Sequence, residues 1–212
     1  LTGVEGVDTQ NDHIFEPEMV IILRDWRRGD DGQSLDRFRP PDAGGAGRYG
    51  PVRPANGLAQ PQFAAPAGGL VRLRAAITDV TRIYAFRVEG AEAAVIALDG
   101  NPVPQRFAPD ALQLGPGQRL DLAIRMPDDE GAVVSLGDVR GTKPKIVATL
   151  RAVGKSLKRD VRDLAPLETN PVAEVDVANA KHISLALSAT AENVPADGIC
   201  GSLGYSFWAI NK

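Results

Sequence analysis

His13, His182 and Cys200 are the only imidazoles and the only thiol of this sequence. Two imidazoles, a thiolate and a weak axial ligand make a copper electron-transfer site. The types are present, but no histidine follows Cys200. Acyl transfer fares no better. There is no Gly-x-Ser-x-Gly turn, and two histidines leave little choice of base. Carboxylates cluster at Asp30-Asp31 and at Asp128-Asp129-Glu130, both in stretches that read as solvated turns.

Other motifs resolve in the same direction. "GAGRYG" at 45–50 matches the dinucleotide fingerprint, which needs a strand before it and a helix after it. Here Pro40-Pro41 precede it and Pro51 follows, so it reads as a loop. "RGD" at 28–30 is a three-residue match in an Arg/Asp-rich loop, of the kind chance supplies. Trp26 and Trp208 read as packing residues of a core or a domain interface. The sequence therefore assigns no catalytic, cofactor-binding or metal-binding residue to this chain.

The elements around these residues are strands. "EMVIILRDW" holds a β-branched run at Met19–Leu23. "GGLVRLRAA" alternates Val71, Leu73 and Ala75 against Arg72 and Arg74. "RIYAFRV" (82–88), "AAVIAL" (93–98), "GAVVSLG" and "KIVATLRAV" follow at close spacing. "RLDLAIRM" places Leu120, Leu122 and Ile124 inward, with Arg119 and Asp121 on the outward face. Asn56-Gly57 marks a hairpin, and Asp99-Gly100 and Gly115-Pro116-Gly117 turn the chain again. The prolines of 101–107 read as an extended loop. This rhythm of short strands, with 22 Gly and 16 Pro, predicts a sandwich or barrel.

Composition agrees. The 212 residues are 43% hydrophobic, enough for a core and too many for a disordered chain. No apolar run nears the roughly 18 residues of a membrane helix, and the longest, such as Ala93–Leu98, suit strands. A net charge of −3, with acids and bases mixed, gives no footprint for nucleic acid. A single cysteine excludes an internal disulfide.

The order "GGLVRLR", "TRIYAFRVEGAEAAVIALDGNPV", "LQLGPGQRLDLAIR", linker and "FWAINK" resembles the middle domain of three-domain multicopper oxidases. The resemblance implies an all-β chain: a cupredoxin-like Greek-key β barrel or sandwich. It implies a lead-in from a preceding domain at 1–17, the middle domain at 18–154, a linker at 155–180 and the first strands of a truncated following domain at 181–212. Copper would belong to the parent enzyme, which oxidises a reductant and reduces dioxygen to water. In cupredoxins the ligand Cys and a His share one loop, which Cys200 lacks, and the three-copper cluster needs His-x-His pairs, of which there are none. The middle domain normally carries no copper. Its partners would be the first and third cupredoxin domains of the same polypeptide, in a periplasmic or otherwise exported protein. Unfinished C-terminal strands would also suit a homo-oligomer. Other readings of the same residues are a copper-free cupredoxin-fold binding or structural protein of the cell envelope, and an unrelated β-sandwich binding module.

Overall fold

A computed structural model describes residues 14–29, 31–34, 49–169, 175–190 and 207–211. The chain divides into two units, one of residues 1–27 and 50–170, the other of 28–49 and 171–212.

The first unit is built from ten strands: β1 Phe15–Leu23, β2 Gln62–Pro66, β3 Leu70–Ile77, β4 Tyr84–Glu89, β5 Glu92–Leu98, β6 Asn101–Phe107, β7 Leu112–Leu114, β8 Arg119–Arg125, β9 Val133–Asp138 and β10 Lys145–Val153. They form two five-stranded sheets, ordered β1-β3-β8-β5-β6 and β2-β10-β9-β4-β7. The chain passes repeatedly between the sheets, so neither closes before the other. Two sequence-distant pairs, β1 with β3 and β2 with β10, run parallel. The remaining pairs are antiparallel.

Period-two patterning places the core. Val71, Leu73, Ala75 and Ile77 of β3 meet Leu120, Leu122 and Ile124 of β8 on the inner face, all buried. Tyr84, Phe86, Leu114, Val134, Leu136 and Leu150 close it from the facing sheet. The hairpin at Asn56-Gly57 is present, with Ala55 and Leu58 exchanging both backbone hydrogen bonds at 2.9 and 3.0 Å.

Three features differ from the sequence reading. The proline-bearing stretch 101–107 is a strand, not a loop. It lies at a sheet edge, where a missing N–H costs no ladder bond. Asp121 faces away from the core as expected, yet only 9% of it is exposed. The outer face of its sheet is covered, and Leu70, Ile96 and Ala123 form a second cluster there with Val161 and Leu164. The cover is the first part of the stretch read as linker. Leu157 and Arg159 donate backbone N–H groups to the carbonyls of Ala67 and Gly68, both at 2.8 Å. A 3₁₀ turn at Val161–Asp163, capped by Asp160, then lays its apolar residues on the sheet.

The second unit holds β11 Leu187–Thr190 and β12 Phe207–Ile210, paired antiparallel. Asn211 donates its N–H to the carbonyl of Ala186 at 2.8 Å, and its side chain accepts from Ala186 N–H at 3.0 Å. The alternating Ile183, Leu185 and Leu187 are exposed.

Candidate functional site

The densest gathering of ionisable groups in the first unit lies where β1 ends and the chain returns at Gly50. Asp79, 5% exposed, follows β3. It accepts from the backbone N–H of Asp25 at 2.8 Å and of Thr81 and Arg82 at 3.3 Å. The hydroxyl of Tyr84 donates to it at 3.4 Å. Asp25 accepts from Arg82 Nε at 2.8 Å and from Gly50 N–H at 2.7 Å, and Arg82 Nη2 reaches the carbonyl of Gly50 at 3.0 Å. Alongside, Asp138, 1% exposed, binds Arg53 and accepts from the N–H of Ala85 and Arg140 at 3.0 and 3.1 Å.

This set is a clamp. Trp26 and Val52 exchange backbone hydrogen bonds at 2.7 and 3.3 Å between its arms. Gly50 is held so closely that an added Cβ would lie 2.2 Å from the backbone of Trp26. The acceptor oxygens are filled by backbone N–H groups and guanidinium donors, an arrangement that fixes the carboxylates in place. Burial, then the neighbouring Asp79 charge, pushes the Tyr84 phenol well above the usual tyrosine range, so it stays protonated. A fixed carboxylate and a permanently protonated phenol hold loops together.

A second ionic set lies on the covered outer face. Arg72 Nη2 and Nε contact Asp121 at 2.9 and 3.3 Å, Arg74 contacts the same carboxylate at 3.3 Å, and Arg74 also pairs with Glu18 at 2.8 Å. The Phe15 ring lies 5.8 Å from the Arg72 guanidinium carbon. Further along, Arg106 donates to the carbonyls of Val161, at 2.9 Å, and Leu164, holding the strap.

The residues singled out in the sequence are scattered. His182 is exposed in the second unit, and His13 and Cys200 lie outside the described residues. So do Asp30 and residues 35–48, with most of "GAGRYG". Trp26 is half-buried at the clamp, and Trp208 is in β12. Asp128 is no idle turn carboxylate: it accepts from Ser156 Oγ and from Arg125 at 2.9 Å, and these bonds hold its pKa down to about 2. Among the described residues no group of three or more His, Cys, Asp or Glu side chains could hold a metal ion. The clamp's acceptors are occupied, so the described residues do not fit a copper centre.

No protein-family model matches the chain. The cell division protein FtsP of Edwardsiella tarda is 28% identical over 190 residues, covering 82% of this chain and 39% of FtsP. A multicopper oxidase from Pseudomonas thermotolerans superposes with a TM-score of 0.69 at 32% identity, over 82% of this chain and 41% of that one. One from Pseudomonas parafulva gives 0.67 at 33% identity, over 85% and 42%. The chain carries a cupredoxin-like domain of the multicopper oxidase type. It spans about two fifths of the length of these relatives.

Sequence reasoning passed over the residues that organise this cupredoxin-like domain. Asp25, Arg53, Asp79, Arg82 and Asp138 stand singly in the chain, and their partners are up to 85 residues away. No local pattern announces such a set. The one usable signal was Asp79 directly after an apolar strand with Arg82 and Tyr84 close behind.

Proposed function

We propose that this chain is the middle, scaffold domain of a larger multicopper-oxidase-type protein, binding no copper itself. Residues 18–154 are its body, 1–17 lead in from a preceding cupredoxin domain, and 181–212 open a following one. The role is to hold those neighbours at the spacing that a cluster built between them requires. What carries the proposal is the saturation of the clamp: the carboxylates that the fold gathers are fixed on backbone N–H groups and arginines. In support, Ile183, Leu185 and Leu187 of the second unit leave an apolar row for further strands to cover, from the next domain or from a second copy. The parent would be exported, to the periplasm in a Gram-negative cell, and would oxidise a reductant with dioxygen.

A second reading has its own support. The curated relatives, FtsP of Edwardsiella tarda among them, carry the name of a cell division protein. On that reading the whole protein is a copper-free structural or binding member of the fold in the cell envelope. Elemental analysis with electron paramagnetic resonance on the purified chain tests what both share. No stoichiometric copper is expected. One copper per chain with a blue thiolate band would overturn the scaffold role. The coding sequence on either side then divides the two, since His-x-His pairs mark an oxidase parent.

A further inference from the structure

Among the described strands, β1 lies at the edge of its sheet with β3 beside it. Leu23 turns its carbonyl toward that neighbour and accepts from Thr78 N–H at 2.9 Å. Val20 and Ile22 therefore present N–H and C=O groups to the free side. Their side chains are 55% and 40% exposed. An open edge carrying an apolar, β-branched run is the kind of strand that templates pairing with another chain.

Among the described residues, the returning segment 54–56 meets the end of that side, with Leu23 bridged to Ala55 and Arg24 N–H donating to the Pro54 carbonyl at 3.5 Å, and the Asn56 side chain carries the cover back to Val20. The backbone N–H of Asn56 donates to the Ile22 carbonyl at 3.0 Å. Its side-chain oxygen accepts from Ile22 N–H at 2.8 Å, and its side-chain nitrogen donates to the Val20 carbonyl at 2.9 Å. The amide thus imitates the next strand's peptide group. Asn56 and Gly57 have φ of 51° and 78°, as a two-residue type I′ hairpin requires. Asparagine suits that turn for backbone reasons, but the turn does not need its amide.

We infer that Asn56 is a gatekeeper: its side chain caps the β1 edge and prevents a second copy of this chain from pairing there, β1 against β1. An antiparallel pair about a two-fold axis would be self-complementary, each copy supplying the same edge.

Asn56→Gly separates the two roles, because glycine accepts positive φ and keeps the turn while deleting the amide. Hydrogen exchange of the Ile22 amide and light scattering across a concentration series would be measured on the full chain and on this variant. At low concentration the Ile22 amide should exchange roughly tenfold faster in the variant, the scale of one lost hydrogen bond. At high concentration the variant should be larger than the parent chain, with Ile22 protected again. Unchanged Ile22 exchange would overturn the cap. Faster exchange with no added association at any concentration would overturn the gatekeeping. Asn56→Asp keeps the acceptor for Ile22 but loses the donor to Val20. It should protect Ile22 partly and, being charged at the edge, should not associate. Association of the Asp variant equal to that of the Gly variant would also count against the proposal.

Discussion

Replacing Asp121 with alanine removes a carboxylate that two arginines share beneath a covered sheet face. Arg72 is 7% exposed and Asp121 9%, and their contacts are 2.9 and 3.3 Å. Arg74 retains Glu18 at 2.8 Å and has somewhere to turn. Arg72, which lies 5.8 Å from the Phe15 ring, loses the carboxylate that both its Nε and Nη2 contact. Breaking a buried pair on one side strands the other charge and costs about 3–5 kcal/mol. The lower end, about 3 kcal/mol, applies because Arg74 is partly solvated. This falls within the roughly 2–5 kcal/mol expected for Leu122→Ala in the adjoining core. An outward-facing aspartate on an open sheet would instead lose about 0.5 kcal/mol. Urea denaturation followed by Trp26 fluorescence, in a Trp208→Phe background, reports the first unit alone. The double variant Arg72→Met with Asp121→Leu should recover most of the loss, since neither charge is then stranded. A loss below about 1 kcal/mol for Asp121→Ala would mean that the face is open to water and that the strap does not cover it.

Two titrations give further checks. The Tyr84 phenol ionises above the ordinary tyrosine value of about 10, so its folded form holds the proton longer than the unfolded chain does. Its contribution to stability is complete below about pH 10 and falls as pH rises beyond it. Phenolate absorbance at about pH 11 should be the same for the parent chain and Tyr84→Phe. Asp128 moves the other way: its pKa of about 2 means stability present above the ordinary carboxylate value and lost as pH falls through about 2. Ser156→Ala removes the first cause of that shift and should raise the Asp128 midpoint in a carboxyl-carbon NMR titration.

The strands were legible because alternation and turn residues are local. Leu120, Leu122 and Ile124 could only face one way, and Asn56-Gly57 could hardly be anything but a hairpin turn. The covered outer face was not legible. Asp121 between two leucines reads as a solvent residue, and the burial comes from Phe15 and from a strap that follows the last strand. That strap is charged and proline-bearing, which in sequence marks a linker. Its order rests on arginines meeting backbone carbonyls, Arg106 with Val161 and Leu164, and Arg125 with Arg159. Backbone acceptors carry no sequence signature. The clamp was hidden because its aspartates and arginines stand singly, with partners up to 85 residues away.

The way the strands interleave has a consequence for synthesis. β2 ends at Pro66, and β10, beside which it lies, begins at Lys145, roughly 80 residues later. At about 5–20 residues per second, β2 waits on the order of 4–16 s on the ribosome before its neighbour exists. Over the same interval Leu70, Ile96 and Ala123 await Val161 and Leu164. Slow, non-local closure of this kind leaves apolar surface exposed to other nascent chains. The vulnerable intermediate would therefore be a chain stalled between β8 and the strap, with one sheet assembled and its back uncovered. A holdase that binds extended apolar segments would act on this protein in that window, and would lose the back of that sheet once Arg159 had reached Glu16.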